Sequence, residues 1–260
     1  MAKWLEARWG KAWRGLVLPV TMIVMWELST RYGWLNTAFW ATPGKVLHTA
    51  VGQIADGEFW PGIEASLARN FAGFAIGSVA GVLLGCLLAF SNAADMVVGT
   101  LFHSVKQIAL FEWIPLMSIW LGSGEVAKIA FIACTAVFPV TLNLYAGIKS
   151  TDQRYFEVAR VLKLSRRHTL RRVVFPAALP HLATGLRLAL IYSWLATIGA
   201  EYFFTAGAGI GNTMIDGREM FEMDLVIFGM IVAGLVGLSL NLLANQIIKG
   251  LAPWQQAAAR

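Results

Sequence analysis

Residues 67–90 read LARNFAGFAIGSVAGVLLGCLLAF, and this stretch decides the fold class. A helix needs about 20 mostly apolar residues to cross a bilayer, so the segment predicts a membrane-spanning helix. Its glycines Gly73, Gly77, Gly81 and Gly85 recur four residues apart. Small residues at that spacing let two helix backbones approach closely, because helices in lipid associate mainly through packing. The segment therefore predicts a helix that lies tightly against a second membrane helix.

The chain contains six apolar stretches of this kind, although the first is short and carries Glu27. The third contains Lys106, Glu112 and Pro115. We expect it to break near Glu112–Pro115, because proline removes a backbone donor, with Lys106 and Glu112 flanking the broken part. The alternation of apolar and polar residues that is typical of membrane barrels does not occur. The sequence thus predicts an all-α fold, a polytopic transmembrane helix bundle of about six spans: Leu16–Thr30, Leu67–Phe90, Met96–Leu121, Val126–Ile148, Leu182–Phe204 and Leu225–Ile248.

The composition agrees with an integral membrane protein. Of 260 residues, 57% are apolar and 14% are charged, whereas soluble domains carry about 45–50% apolar and about 25% charged residues. The mean hydropathy is +0.62. These values exclude intrinsic disorder and a soluble globular domain. The net charge of +6 does not indicate nucleic-acid binding, because the basic residues lie mainly in the segments between the apolar stretches.

The basic residues also predict the orientation in the membrane. If the N-terminus lies inside, the inner segments hold 14 of the 21 Lys and Arg residues and the outer segments hold four. Cytoplasmic loops of membrane proteins carry such an excess. We therefore expect a multi-pass membrane protein with both termini in the cytoplasm. Residues 149–181 form the long inner loop.

This topology divides the chain into three parts. Residues 1–66 comprise an N-terminal segment at the membrane interface, the first span and an outer loop. Residues 67–250 form a core of five spans that contains the inner loop 149–181, and residues 251–260 form a cytoplasmic tail. Tryptophans among the basic residues of the first 14 positions predict a helix on the membrane surface.

The inner loop has the pattern of two short helices. Phe156, Ala159 and Leu162 recur at helical spacing. Ser165 can cap a second helix, which we expect to end at Pro176 and Pro180 before the fifth span. Two interpretations remain open from the pattern alone. The loop is either a solvated basic segment or a rigid docking element for a soluble partner.

The same loop resembles the EAA motif of ATP-binding-cassette importer permeases. The motif begins with Glu-Ala-Ala, which corresponds to Glu157-Val158-Ala159 here. It ends with Ile, any residue, Leu and Pro, which corresponds to Val173-Val174-Phe175-Pro176. Lys163 departs from the motif, because the family has glycine at this position, where the chain bends tightly between the two loop helices. The resemblance covers most of the chain after about Leu67 and is strongest to the branch that imports nitrate, taurine and alkanesulfonates. Further matching stretches are WIPL at 113–116, IWLG at 119–122, RRVVFPAALP at 171–180 and GLRLAL at 185–190.

The resemblance implies a set of partners. In that family two permease subunits form the channel, two ATPase subunits bind inside and a periplasmic substrate-binding protein delivers the solute. It implies a homodimer in the lipid bilayer, with ATP and Mg²⁺ on the partner subunit and no cofactor on this chain. The sequence agrees, since no G-x-x-x-x-G-K-[ST] phosphate loop occurs. The residues implied in docking the ATPase are Glu157, Val158, Ala159, Arg160, Lys163 and Leu164.

Charged residues inside the apolar stretches are candidates for the translocation path, because such groups usually face protein or water. Alternatively, a Lys106–Glu112 or an Arg187–Glu201 contact only holds helices together. Basic and acidic candidates are equally numerous, which leaves the sign of the solute's charge open. The residues predicted to line the path are Lys106, Glu112, Trp113, Arg187, Trp194 and Glu201.

Two other classes of membrane protein, an enzyme and an ATP-independent transporter or channel, compete with an importer permease. The histidines have no paired metal-ligand spacing and no Gly-x-Ser-x-Gly element occurs, so we expect no metal site, no catalytic residue and no enzyme activity. The alternative is an ATP-independent secondary transporter or channel, which often shows an internal repeat. We see no such repeat, and co-purification of an ATPase would separate the two.

Overall fold

The computed structural model describes the backbone of residues 2–34, 39–57, 59–204 and 206–251, with side chains from residue 17 to residue 248. Within these ranges the regular structure is helical throughout, as predicted. The predicted interfacial tryptophans and the tail after residue 251 lie outside the described side chains. The α-helices are α1 (Ala2–Arg31), α2 (Pro43–Ala55), α3 (Phe59–Phe90), α4 (Asn92–Ala94), α5 (Thr100–Val105), α6 (Trp113–Leu121), α7 (Glu125–Lys149), α8 (Gln153–Val161), α9 (Arg166–Thr169), α10 (Phe175–Phe203), α11 (Ile210–Glu219) and α12 (Met223–Leu251).

Four helices of the described chain are long and apolar enough to cross a membrane. They correspond to four of the six predicted spans. The first predicted span lies inside α1, whose apolar side chains from Val17 to Met25 are exposed, as contact with lipid requires. The four spans are Phe59–Phe90, Glu125–Lys149, Arg166–Phe203 and Met223–Ile248.

Helices α3 and α7 run in parallel and pack along the predicted glycine row. A methyl group at Gly77 would overlap the carbonyl oxygen of Ala133, and one at Gly81 would lie 2.8 Å from Cβ of Val140. The backbones are therefore so close that only hydrogen fits between them. Thr141 adds a hydrogen bond across this contact, from its hydroxyl to the Gly81 carbonyl oxygen at 3.2 Å.

Helix α10 lies antiparallel to α7 and completes the centre of the bundle. Its Gly185 meets the backbone of α7 at Pro139, and Gly147 of α7 receives the His181 side chain. Helix α12 then packs on α10 and α11. The bundle thus has a loop end, formed by residues 149–181 and the end of α3, and a far end, where α7 begins and α10 finishes.

The third predicted span is broken, and the break lies between Lys106 and Glu112, the two residues predicted to flank it. The chain leaves the α-helix at Lys106, and a 3-10 turn covers Leu110–Glu112. The break does not extend to Pro115. Pro115 is the third residue of α6, in the first turn, where its missing N–H would have no partner within the helix. The proline therefore starts a helix here, and the interruption precedes it.

The prediction that Pro176 and Pro180 end the second loop helix is wrong. The helix is continuous from Arg166 to Phe203 and carries the loop directly into the fifth span. A wide π turn at Leu170–Val174 comes immediately before Pro176. Such a turn moves the preceding carbonyls away from the proline ring, which would otherwise clash with the carbonyl four residues earlier. The loop and the span consequently form one rigid rod.

We predict that Gly77→Ala lowers the free energy of unfolding of the subunit by about 1–3 kcal/mol, because the added methyl forces α3 away from α7. The matched control is Gly234→Ala on α12, where a methyl would meet no atom within 4 Å. That change should stay within about 0.5 kcal/mol. Thermal unfolding in detergent measures both, and equal midpoints would contradict the close α3–α7 contact.

Candidate functional site

The loop end begins with α8 and a tight turn. Asp152 caps α8 by accepting a hydrogen bond from the Arg154 amide at 2.9 Å. The helix ends in a Schellman motif, in which the Leu164 amide donates to the Ala159 carbonyl at 2.9 Å and the Lys163 amide donates to Arg160 at 2.9 Å. Lys163 has a φ of 50°. It thus adopts the left-handed conformation usual for glycine, and the tight bend is preserved although the motif glycine is replaced.

Helix α8 presents two different faces. Ala159 is only 4% exposed and faces the subunit itself, beside a cavity of about 440 Å³ whose lining includes Phe90 and Val174. Ala159 therefore does not reach the solvent-exposed surface of this subunit. Glu157 is exposed, as are Arg160 and Lys163, and Leu164 is half-buried. Beside Ala159, the helix and its C-cap carry an exposed apolar stripe, composed of Tyr155, Val158, Val161 and Leu162.

A basic cluster follows on the next helix. Four basic side chains at the end of the loop line one open cleft of about 560 Å³. All four are exposed, and none forms an ion pair within the described residues. This cluster makes the loop end of the molecule strongly positive. Its members are Arg167, His168, Arg171 and Arg172.

A second cavity, of about 520 Å³, opens at the break in the third predicted span. Its walls come from residues 106–110, from the middle of α7 and from α10, which places it at the mid-depth of the bundle. We call this the break cavity. Of the predicted path residues, Lys106 and Trp113 line it, whereas Glu112 is exposed and lies outside it. Its polar lining residues are Lys106, Gln107, Thr135, Asn143 and Tyr192.

Most polar groups of the break cavity have spare hydrogen-bonding capacity. One Asn143 amide hydrogen is used by the Pro139 carbonyl oxygen, which accepts from Nδ2 at 2.8 Å. The Tyr192 hydroxyl and the Lys106 ammonium form no hydrogen bond or ion pair with any described residue. A half-buried cation without a partner at this depth needs water or a ligand.

The far end is closed by a buried ionic network around Arg69. The guanidinium donates from Nη1 to Glu201 at 2.7 Å and forms a two-pronged pair with Glu125 at 2.5 and 2.8 Å. The hydroxyl of Ser66 donates to Glu201 at 2.9 Å, and so does the Gly211 amide. Glu201 is fully buried. It is therefore a saturated acceptor that fixes the start of α11 to α3 and α10.

Lys128 extends the same network toward the loop before α11. It is fully buried, and its ammonium donates to the Ala206 carbonyl oxygen and, at 3.2 Å, to Oδ1 of Asn212. The sequence analysis missed Arg69 and Glu125 as members of this site. The available signal was that Arg69 is the one charged residue within the apolar stretch 67–90.

The other predicted path residues lie elsewhere in the bundle. Arg187 donates to Oδ1 of Asn241 on α12 at 3.2 Å, and the indole N–H of Trp194 donates to the Ala233 carbonyl oxygen at 2.9 Å. Neither of the alternative pairs, Lys106–Glu112 or Arg187–Glu201, is formed among the described residues. The structure brings Lys106 and Trp113 together and separates them from Glu201. The path roles of Arg187, Trp194, Glu201 and Glu112 stay predictions.

We predict that Glu201→Gln destabilises the subunit by about 3–5 kcal/mol, because it removes a fully buried carboxylate that accepts hydrogen bonds from Arg69, Ser66 and the Gly211 amide. The matched control is Glu125→Gln, where the carboxyl side chain is 51% exposed and the loss should be about 0–1 kcal/mol. Thermal unfolding of the two variants in detergent measures the difference. Equal stability of both would contradict a structural role for Glu201.

Solved structures share this fold. A methionine ABC transporter, MetNI, in an inward-facing conformation superposes with a TM-score of 0.60 at 17% identity, over 73% of this chain and 94% of that chain. A crystal structure of an amino acid ABC transporter with histidines gives 0.61 at 17% identity, over 76% and 97%. At this identity the likeness concerns the fold alone.

Sequence comparison then establishes the family. Curated relatives are a putative aliphatic sulfonates permease, SsuC, of Bacillus subtilis (30% identical, over 94% of this chain and 88% of that protein), a bicarbonate permease, CmpB, of Synechococcus elongatus (36%, 73% and 68%), and a nitrate import permease, NrtB, of Leptolyngbya laminosa (36%, 77% and 71%). Residues 77–256 match the family described as binding-protein-dependent transport system inner membrane component. The chain belongs to this family, the permease subunits of ATP-binding-cassette importers.

Proposed function

We propose that this permease subunit forms half of the translocation path for a small oxyanion. The observation that carries the proposal is the break cavity, which is lined by an unpaired cation at mid-depth in a chain of this family. The named relatives transport sulfonates, bicarbonate and nitrate. All three solutes are small and anionic, which supports this substrate class. The individual solute depends on the binding protein that delivers it.

We propose that a second copy of the chain completes the path. The break cavity is open on one side, and the segments beside it carry exposed apolar residues such as Leu101, Ile108 and Phe111. Lipid or a second permease subunit can cover such a face. A homodimer would enclose two break cavities around one central route. The alternative, an ATP-independent secondary transporter or channel, leaves the exposed apolar stripe of α8 without a purpose.

The ATPase is proposed to bind at the loop end, on the apolar stripe of α8. Val161 is 82% exposed although it is apolar, and it lies outside the predicted spans. A contiguous apolar patch of this kind typically marks an interaction site. Because α9 continues without interruption into α10, a displacement of the loop by the ATPase would move the fifth span as a rigid body. Two ATPase subunits would supply ATP and Mg²⁺, and this chain would bind neither.

We predict that Val161→Asp abolishes co-purification of the ATPase subunit while the thermal unfolding of the permease remains unchanged. The introduced carboxylate would have to lose its water in an apolar contact. Glu157→Lys, on the edge of the stripe, should weaken the complex less. The control Asn92→Asp adds the same charge at an exposed position of the same end, outside the stripe. Normal coupled ATP hydrolysis in the Val161 variant would reject the docking surface.

We further propose that the loop end and both termini lie in the cytoplasm of a bacterial cell and that the protein resides in its inner membrane. The basic cluster at Arg167–Arg172 supports this orientation, because positive residues remain on the cytoplasmic side. The far end would then face the periplasm and receive the binding protein. In this arrangement residues 67–250 act as the transport core, with the preceding and following segments attached to it.

We predict that a cysteine at position 56 reacts with a membrane-impermeant maleimide added to intact cells and that one at position 167 does not. Asp56 and Arg167 are both exposed, so neither change should disturb the fold. The background chain carries serine in place of Cys86 and Cys134. Permeabilised cells provide the control, since both positions should then react. Labelling of position 167 in sealed cells would overturn the orientation.

A further inference from the structure

The charges inside the bundle are not balanced at the break cavity. Within the described residues, Glu27 pairs with Arg31, Glu201 with Arg69, Lys128 with Asn212, and Arg187 with Asn241. Among the charged side chains of the six apolar stretches, only those of Lys106 and Glu112 form no hydrogen bond or ion pair with another described residue. Lys106 lines the cavity and Glu112 does not, and the lining contains no acidic side chain. The cavity therefore has a positive electrostatic character.

The backbone around the cavity strengthens this character. The helical segment Leu110–Leu121 begins at the cavity wall, where Ala109 and Leu110 are lining residues. The first amides of a helix lack partners within the helix and carry a partial positive charge. Pro139, which also lines the cavity, lacks an N–H and so interrupts the hydrogen bonding of α7 at the same depth. Such irregular backbone at membrane depth is tolerated where it lines a water-filled space.

We propose that Lys106, Asn143 and Tyr192 form a transient anion subsite in the break cavity, which selects small oxyanions by charge. This inference rests on the proposed function, which it deepens by assigning the charge selection to named residues. The Lys106 ammonium supplies a mobile point charge on a flexible stem. The Tyr192 hydroxyl and the second amide hydrogen of Asn143 supply neutral donors. One cation with neutral donors holds an anion weakly enough for it to leave again, as transport requires.

The size of the cavity agrees with this assignment. A volume of about 520 Å³ accommodates a small oxyanion together with water molecules, since each water occupies about 30 Å³ in the liquid. A hydrated solute needs few fixed contacts. Selection would therefore rest on the sign of the charge and less on the shape of the solute, which fits relatives that carry chemically different oxyanions.

The test measures the electrostatic potential in the cavity directly. Thr135 lines the cavity, and Thr135→Cys in a chain with Cys86→Ser and Cys134→Ser provides one reactive thiol. The thiol is treated with two methanethiosulfonate reagents of similar size, one bearing a sulfonate and the other a trimethylammonium group. The ratio of the two labelling rates reports the local charge. It is compared among chains with Lys106, Lys106→Gln, Lys106→Arg and the neighbouring control Ser104→Ala.

We expect Lys106→Gln to lower the anionic-to-cationic rate ratio by about 10-fold at low ionic strength, because one unit charge within several Å is removed. Lys106→Arg and Ser104→Ala should leave the ratio within about 2-fold of the parent. A ratio that does not change in Lys106→Gln overturns the subsite. Absence of labelling by both reagents also overturns it, because the cavity would then be closed to water.

Uptake measurements separate this inference from the proposed function. Proteoliposomes that contain the permease and the ATPase receive the binding protein and nitrate, bicarbonate or methanesulfonate as probes from outside. If the anionic-to-cationic labelling ratio falls in Lys106→Gln but no anion is transported, the subsite stands and the proposed function fails. If an anion is transported and the ratio does not respond to Lys106, the proposed function stands and the subsite fails. Should both hold, Lys106→Gln will reduce anion uptake and Lys106→Arg will restore it.

Discussion

The parallel contact between α3 and α7 is the constraint on which the rest of the subunit depends. In a bilayer the hydrophobic effect does not drive helices together, so close packing of small residues must supply the cohesion. The glycine row from Gly73 to Gly85 removes the side chains that would separate the two backbones. The resulting register places Arg69 beside Glu125 at the far end. It also leaves the middle of α7 free to face the break cavity.

Charge pairing then divides the bundle into a closed end and an open centre. At the far end, Arg69 pairs with both Glu125 and Glu201, Lys128 supplies the second positive charge of the network, and hydrogen bonds occupy both Glu201 oxygens. Breaking such a buried pair is costly, which favours a rigid clamp over a passage for solute. At mid-depth the break in the third predicted span leaves Lys106 unpaired next to non-helical backbone. The unpaired polar groups therefore lie at mid-depth, along the proposed path.

The loop end is a stiff element between this interior and the proposed docking surface for the ATPase. A Schellman turn with Lys163 in a left-handed conformation closes α8, and a π turn carries the following helix past Pro176. Both features keep short helices rigid where a flexible linker would absorb motion. Ala159 packs inward and anchors α8 on the subunit, whereas Val161 and its neighbours project outward. One helix thus has an internal anchor and an external contact surface.

The sequence alone determined the fold class, four of the spans, the glycine contact and the family, because hydropathy, small-residue spacing and motifs are local properties of the chain. It also located the interrupted span and two residues of the break cavity, Lys106 and Trp113. It attributed the break to Pro115 and assigned a stop to Pro176, and both were wrong because the effect of a proline depends on the turn that precedes it.

Only the tertiary structure decided which charges pair. The sequence allowed a contact between Arg187 and Glu201, but their partners, Asn241 and Arg69, come from α12 and α3. Helical spacing likewise grouped Phe156, Ala159 and Leu162, although Leu162 lies on the exposed side of α8. The partner of a buried charge and the exposure of a side chain depend on distant segments, and no pattern within one segment encodes them.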